Sequence, residues 1–333
     1  MTAPLRLAVL GHGFIGDTHT RAAAEAGLDV TVVTGRDLGR AQTFAKRHHI
    51  ARATTVWQEA VSADDVDAVV IGTPNSLHHP QALAAIAAGK HVLVEKPMAL
   101  NTTQAEEIAA AAHAAGTTLL VGHMWRYRDE VIATRDRIAS GSIGTPVRTR
   151  GYGIHAGWGP SGWFTDPTLA GGGALIDMGI HAIDTARFLL GDPLPTRVVG
   201  SIGTSFGDYD VDDDGVVLIE WSTGVRSVIE SGWWQPRLDG VEADTEVYGT
   251  SGYERIWPQY TPATPPPANY IHCTLPMYTA QMLDFAHCCA TGATPHASAE
   301  VGLIALSIVD TVYRNRWPLA PRPAAPGGVV VPG

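Results

Sequence analysis

Three groups of residues in this chain carry side chains that can do chemistry together. Lys96 stands between Glu95 and Pro97, directly after the apolar run at residues 91–94. Asp177 and His181 follow the triple glycine Gly171-Gly172-Gly173 and lie four positions apart, which places a carboxylate and an imidazole on one face of a helix. Gly11-x-Gly13-x-x-Gly16 follows the apolar run at residues 5–10. An amine, an imidazole and a carboxylate added to a dinucleotide loop predict an enzyme of hydride transfer, in which the side chains handle the proton.

These groups need elements that bring them to one place. Apolar runs at 5–10, 30–34, 68–72, 91–94 and 118–122 read as strands, separated by helical patterns at 15–26, 38–48, 79–88 and 103–115. Strands apolar on both faces belong to a buried parallel sheet. The fold class is therefore α/β, with an N-terminal Rossmann domain, a doubly wound parallel sheet, over residues 1–124. Lys96 then sits at a strand's carboxyl end, where such sheets bind ligands. Asn101 is placed to cap the helix that follows it. Past residue 145 a helix at 174–190 precedes alternating runs at 197–202, 215–221, 226–232 and 242–248, then helices at 278–290 and 299–315. Such alternation describes a mostly antiparallel sheet with one open face. Residues 125–317 form this second, α+β domain, residues from Thr261 to Pro267 are a loop, and 318–333 is a tail rich in proline and glycine.

Composition narrows the function. The 333 residues are 45% hydrophobic and 17% charged, with a formal net charge of -10, as in a globular protein. A nucleic-acid partner needs a positive stripe, which is missing. No apolar stretch approaches the ~20 residues that span a bilayer, and Met1 runs almost directly into the first strand. Cys273, Cys288 and Cys289 give neither a disulfide framework nor a zinc spacing. These features predict a cytoplasmic, reduced protein without nucleic acid, membrane or metal partners.

In the glycine loop, Gly11 permits the tight turn, Gly13 lets backbone approach a pyrophosphate, and Gly16 lets helix pack on strand. Phe14 and Ile15 fall in the same cofactor site, and the helix start offers free N–H groups to phosphate. The second strand ends Thr34-Gly35-Arg36, with no acid for a ribose 2′-hydroxyl. Arg36 can instead pair a 2′-phosphate or stack on adenine, and Thr34 adds a hydroxyl. The cofactor is NADP or NAD, with NADP weakly favoured. Thr73-Pro74-Asn75-x-x-His78 lies on the same crevice edge, where Asn75 and His78 meet the cofactor's ribose or the substrate. A helix-terminal or surface role suits His78 equally well.

Gly11-His-Gly-Phe-Ile-Gly16, Thr73-Pro-Asn75, Glu95-Lys96-Pro97 and Gly171-Gly-Gly-Ala-Leu-Ile-Asp177-Met-Gly-Ile-His181-Ala-Ile-Asp184 together resemble the Gfo/Idh/MocA family, relatives of glucose-fructose oxidoreductase and inositol dehydrogenase. The resemblance covers nearly the whole chain. It implies that Lys96, Asp177 and His181 surround the reacting carbinol, and that Glu95 and Lys96 belong to the cofactor's surroundings. It suggests a cis Lys96–Pro97 bond, and a homodimer or homotetramer built on the open sheet face. In this reading His181 is base in oxidation and acid in reduction, and Lys96 stabilises alkoxide charge and lowers the His181 pKa. Asp177 orients substrate hydroxyls or the ammonium, and Asp184 either supports His181 or is structural.

The chain departs from the family after the sixth strand, where it reads Gly122-His123-Met124-Trp125-Arg126-Tyr127 and lacks the family's asparagine. Arg126 either binds a substrate hydroxyl or carboxylate or serves packing and a salt bridge. Tyr152, His155, Trp158 and Trp163 precede the triple glycine, a segment that borders the substrate pocket in the family. Aromatic faces suit a polyol, sugar, sugar derivative or inositol, and core packing accounts for each of them equally well. Two rival readings are an NAD-dependent glycosidase that oxidises its substrate transiently and a non-catalytic dinucleotide or sugar sensor. Retention of Lys96, Asp177 and His181 together speaks against the sensor.

Overall fold

The structure is a computed structural model that describes residues 4–235, 242–257 and 274–315. The predicted loop at 261–267 and the tail at 318–333 lie outside the described residues.

The first sheet contains β1 (Arg6–Leu10), β2 (Asp29–Thr34), β3 (Arg52–Thr54), β4 (Ala68–Ile71), β5 (His91–Val94) and β6 (Leu119–Val121), all parallel, in the order β3-β2-β1-β4-β5-β6. Helices α1 (Phe14–Glu25), α2 (Leu38–Arg47), α3 (Trp57–Val61), α4 (His78–Ala87) and α5 (Thr102–Ala115) connect them. Leu7–Leu10, Ala68–Ile71 and Val92–Val94 are buried throughout, as strands covered on both faces must be. Strand order reverses between β1 and β4, and ligand crevices open at such points. Leu10, Ile71, Val94 and Val121 stand in register across four strands. The residues that follow them, Gly11, Gly72, Glu95 and Gly122, therefore form one row above the sheet. Asn101 caps α5 by accepting from the Gln104 N–H at 3.0 Å, as its type predicts.

After α6 (Asp129–Ala139) comes the second sheet, made of β7 (Pro146–Ile154), β8 (Pro195–Gly203), β9 (Asp214–Trp221), β10 (Arg226–Gly232), β11 (Ala243–Gly249) and β12 (Tyr253–Arg255). Its order is β12-β11-β7-β10-β9-β8. Within this sheet only the β7–β10 pair is parallel among the described strands. β9 alternates exposed and buried residues along its whole length, leaving one face open. The other face packs on α8 (Ile180–Leu189) and α10 (Ala299–Arg314), while α7 (Pro167–Ala170) precedes the triple glycine and α9 (Leu275–Thr291) lies on α1. One hydrophobic core joins both sheets, running from Ala8, Val69 and Val92 through Ile183 and Val309 to Val217 and Ile229.

The predicted helix at 174–190 is observed without a break from 174 to 189, but its opening turn differs from an α-helix. Leu175–Gly179 forms a wide turn with π-type bonding before α8 begins, a feature frequent at functional sites. Six elements have no counterpart in the sequence reading: β3, α3, α6, β7, α7 and β12. β3 has three residues, too few for periodicity. α6 buries only Val131, Thr134 and Ile138, and β7 carries Pro146, Gly151 and Gly153, which depress strand propensity.

Candidate active site

The glycine loop leaves β1 with Gly11 at a φ of 103°, a conformation that side chains resist. A Cβ on Gly16 would sit 2.0 Å from the Gly11 carbonyl oxygen, whereas one on Gly13 would meet nothing within 4 Å. Gly16 thus seats α1 on the turn, and Gly13 leaves room above it. Gly13 caps α1 without a side-chain hydrogen bond, so the helix presents unpaired N–H groups to that space. This combination fits the pyrophosphate of a dinucleotide. Phe14 and Ile15 line the cavity that continues from it. At the end of β2, Thr34 is buried and its carbonyl accepts the Gly11 N–H at 3.1 Å. Gly35 packs directly on the His12 ring, and Arg36 is exposed just beyond it.

The cavity has a volume of about 660 Å³ and holds Lys96, Asp177 and His181 in its wall. Strand β5 delivers Lys96, followed by a cis bond to Pro97. The ammonium donates to the Asp177 carbonyl at 2.8 Å and to its carboxylate at 3.0 Å. The other carboxylate oxygen accepts from the Trp233 indole N–H at 3.1 Å and lies 3.7 Å from His155 Nε2. Burial opposes charge on Asp177, but the Lys96 ammonium, then His155, hold its carboxyl well below the usual range. His181 is buried beside Trp125, ring centroids 6.0 Å apart. Burial first and the Lys96 cation second hold its imidazole well below the ordinary value, which favours the neutral ring. His155 Nδ1 lies 3.7 Å from Glu242, which also accepts from the Trp158 indole. Burial disfavours the His155 cation, yet Asp177 and Glu242 outweigh it and raise the pKa.

Distant residues fix this arrangement. The Asp212 carboxylate accepts from the Gly173 and Leu175 N–H groups, both at 2.8 Å. The Tyr313 hydroxyl on α10 donates to Asp212 at 2.8 Å and accepts from Gly173 and Ile176 at 3.2 and 3.3 Å. A Cβ on Gly173 would lie 1.8 Å from the Asp212 carbonyl oxygen, and one on Gly172 would lie 2.2 Å from the Tyr313 oxygen. The glycines thus allow Asp212 and Tyr313 to grip the start of the wide turn. Glu95 accepts from its own neighbour, the Lys96 N–H, at 3.1 Å and pairs with buried His19 at 2.7 Å. Burial works against the Glu95 charge, and His19 reverses this to lower its pKa.

Several expected residues have structural partners. His78 lines the cavity, but its ring nitrogens lie 2.7 and 2.8 Å from the Pro97 and Thr73 carbonyl oxygens. Asn75 and Thr73 also line it, with Asn75 donating to the Ala170 carbonyl at 2.8 Å and Thr73 donating to Gln81 at 2.7 Å. Pro74 opens the turn Asn75–Leu77 and is not in the wall. The substrate role considered for Arg126 does not fit its position. Its guanidinium is 1% exposed and bound by Asp184 and Asp192, each as close as 2.7 Å. Asp184 accordingly serves Arg126, with His123 Nδ1 3.6 Å away. Tyr152 lies in the core under the second sheet and not in the wall. His155, Trp158 and Trp163 do line it.

Sequence reasoning missed Trp233, Glu242, Phe164 and Tyr278 in the wall and Asp212 and Tyr313 behind it. Trp233 and Glu242 carried a readable signal, since they bound the predicted strands at 226–232 and 242–248. Among the described residues, no group of three or more His, Cys, Asp or Glu is arranged to hold a metal, and no helix is long and apolar enough to cross a membrane.

Residues 5–123 match the family model of the oxidoreductase family with NAD-binding Rossmann fold, and residues 131–254 match the GFO/IDH/MocA C-terminal domain. The chain is 35% identical to 1,5-anhydro-D-fructose reductase of Ensifer adhaerens over 69% of each chain. It is 28% identical to D-xylose 1-dehydrogenase [NADP(+)] of Haloarcula marismortui over 93% of this chain and 90% of the other. Among solved structures, GenD2 from gentamicin A biosynthesis in complex with NAD superposes with a TM-score of 0.82 at 28% identity, covering 94% of both chains.

Proposed function

The chain belongs to the Gfo/Idh/MocA family of NAD-binding oxidoreductases, and from that premise we propose that it transfers a hydride between NAD(P) and a secondary alcohol or ketone of a sugar, sugar derivative or inositol. One observation carries this reading: Lys96, Asp177 and His181 share a cavity with Phe14 and Ile15 of the dinucleotide turn. Relatives named for anhydrofructose and xylose support the substrate class.

When bound, the nicotinamide supplies the hydride acceptor in oxidation and the donor in reduction. Gly11, Gly13 and Gly16 would hold its dinucleotide, with Thr73, Asn75, Glu95 and Lys96 along the crevice. His181 takes the hydroxyl proton of the alcohol in oxidation and returns it to the carbonyl oxygen in reduction, a role its neutral, buried imidazole allows. The Lys96 ammonium stabilises the charge that develops on the same oxygen. Asp177 fixes that ammonium through two contacts, and Trp233 and His155 fix Asp177 in turn. His155 and Trp163 complete the substrate wall.

NADP is the favoured cofactor, because β2 ends without an acid and leaves Arg36 exposed beside Gly35. The NADP-linked xylose relative agrees, and the NAD-bound neighbour marks the alternative. The open sheet face exposes Val199, Val216 and Leu218 and is the proposed contact of a homodimer or homotetramer, which sedimentation equilibrium checks.

A panel of sugars, inositols and sugar acids, read by absorbance of the reduced cofactor with NAD and NADP separately, tests the function. Turnover of at least one polyol is expected, with kcat/KM higher for NADP and the preference reduced in Arg36→Ala. A strong NAD preference indifferent to Arg36→Ala rejects the cofactor assignment, and no turnover of any member rejects the function.

A further inference from the structure

Glycine at position 35 is not required by its backbone, which lacks the positive φ that calls for glycine. It is required by a neighbour. A Cβ there would sit 1.9 Å from Cδ2 and 2.2 Å from Nε2 of His12. The imidazole of the dinucleotide loop therefore fills the space that a side chain at the end of β2 would take.

Both partners are held in place. The Gly11 N–H donates to the Thr34 carbonyl at 3.1 Å, and the Gly35 N–H donates to the Thr54 carbonyl at 3.2 Å. Phe44 of α2 lies beside the His12 ring, centroids 6.3 Å apart. His12 and Gly35 are half-buried, and Arg36 is exposed.

The space that His12 fills has a known use in dinucleotide folds. A side chain at the end of the second strand meets the adenosine ribose, and an acid there accepts from the 2′-hydroxyl. A carboxylate repels a 2′-phosphate, whereas an imidazole donates a ring N–H to one. The next acid along the chain, Asp37, is engaged elsewhere: it accepts the Arg40 N–H at 2.9 Å and caps α2. The first turn of α2 holds no acid, so the helix dipole and Arg36 both make this turn favourable to an anion.

We propose that His12 is a second determinant of cofactor choice: its imidazole stands in for the ribose-binding acid and donates a hydrogen bond to the 2′-phosphate of NADP, beside Arg36. This rests on the NADP assignment made above and adds to it a residue of the glycine loop itself. Gly35 follows from it, since any larger residue would displace the ring.

Isothermal titration of wild type, His12→Ala and Arg36→Ala with NADP, NAD, 2′,5′-ADP and 5′-AMP tests the proposal. The last two ligands carry the adenosine end alone, so the readout needs neither a sugar nor turnover. Wild type should bind NADP more tightly than NAD, and 2′,5′-ADP more tightly than 5′-AMP. His12→Ala should weaken NADP and 2′,5′-ADP by about tenfold or more, the worth of one charge-assisted hydrogen bond, and change NAD and 5′-AMP by less than about twofold. Gly35→Asp alone sets a carboxylate against the imidazole and should weaken all four ligands. Gly35→Asp combined with His12→Gly gives the carboxylate the vacated space and should favour NAD.

Equal losses for NADP and NAD in His12→Ala overturn the role of His12. So does an unchanged ratio in His12→Ala when Arg36→Ala loses the preference, and both results leave the NADP assignment standing. Tighter binding of NAD than of NADP by the wild type overturns both. Should His12→Ala bind none of the four ligands, the double variant decides: an NADP preference retained there overturns the proposal, and a switch to NAD upholds it.

Discussion

Replacing Arg126 with methionine separates a structural cation from a substrate ligand. Its Nε lies 3.0 and 2.9 Å from the two Asp184 oxygens, and its Nη2 lies 2.7 Å from both Asp184 and Asp192. The guanidinium also covers the Phe188 ring at 4.9 Å. Side chains of Arg126 and Asp184 are 1% and 2% exposed. Removing one partner of so buried a pair strands the other charge, at a cost of about 3–5 kcal/mol. For 333 residues, an unfolding entropy of about 0.7 kcal/mol/K turns that into a melting-temperature loss of about 4–7 °C. Arg126→Met with Asp184→Leu removes both charges and should recover most of the loss, a coupling that a double-mutant cycle by calorimetry reads directly. The substrate KM should move little, because Arg126 is not in the cavity wall. An unchanged melting temperature with a KM raised tenfold would refute the reasoning and return Arg126 to the substrate.

Tyr313→Phe deletes the hydroxyl that holds Asp212, Gly173 and Ile176. It should cost about 1–3 kcal/mol and lower kcat more than it alters the cofactor Kd, since the wide turn carrying Asp177 loosens. Equal kcat in the two proteins removes Tyr313 from any positioning role. Stability should also depend on pH below neutrality. Burial holds the imidazoles of His123 and His181 under the ordinary 6.5, so the unfolded chain takes up these protons first as pH falls. Their contribution is complete above about 6.5 and is lost toward their lower folded-state values. Urea midpoints at pH 7.5 and 5.5 should differ accordingly, and His123→Gln should reduce the difference; equal midpoints contradict it. Gly16→Ala should abolish cofactor binding or folding of the turn, because its Cβ would lie 2.0 Å from the Gly11 carbonyl oxygen. Isothermal titration with NADP measures this, and wild-type affinity would exclude the close approach.

Much of the fold was legible because the first sheet is buried on both faces. Residues 68–71 and 91–94 have the continuous apolar character of interior strands, and Lys96 follows the second of them. The cavity shared by Lys96, Asp177 and His181 was foreshadowed by a strand end and a helix face, both of which are local properties. The wide turn at Leu175–Gly179 was not, because it depends on Asp212 and Tyr313, which approach only after folding. Arg126 shows the same limit. Nothing in Met124-Trp125-Arg126-Tyr127 indicates that two acids from α8 and the turn after it enclose the guanidinium. Trp233 and Trp234 are adjacent in sequence, yet Trp233 is buried and bonded to Asp177 while Trp234, at a φ of 62°, is 44% exposed and outside the cavity wall.

The central claim is that His181 moves the proton under the influence of the Lys96 cation. The pH dependence of kcat/KM for alcohol oxidation, in wild type and Lys96→Met, tests it most directly. In the wild type the acidic limb should fall below 6.5, because burial and Lys96 both hold the imidazole neutral. Lys96→Met should move that limb upward, and His181→Ala should lower kcat by about 10²–10⁴ while the cofactor remains bound. A limb at the same pH in both proteins, or full turnover in His181→Ala, would contradict the account.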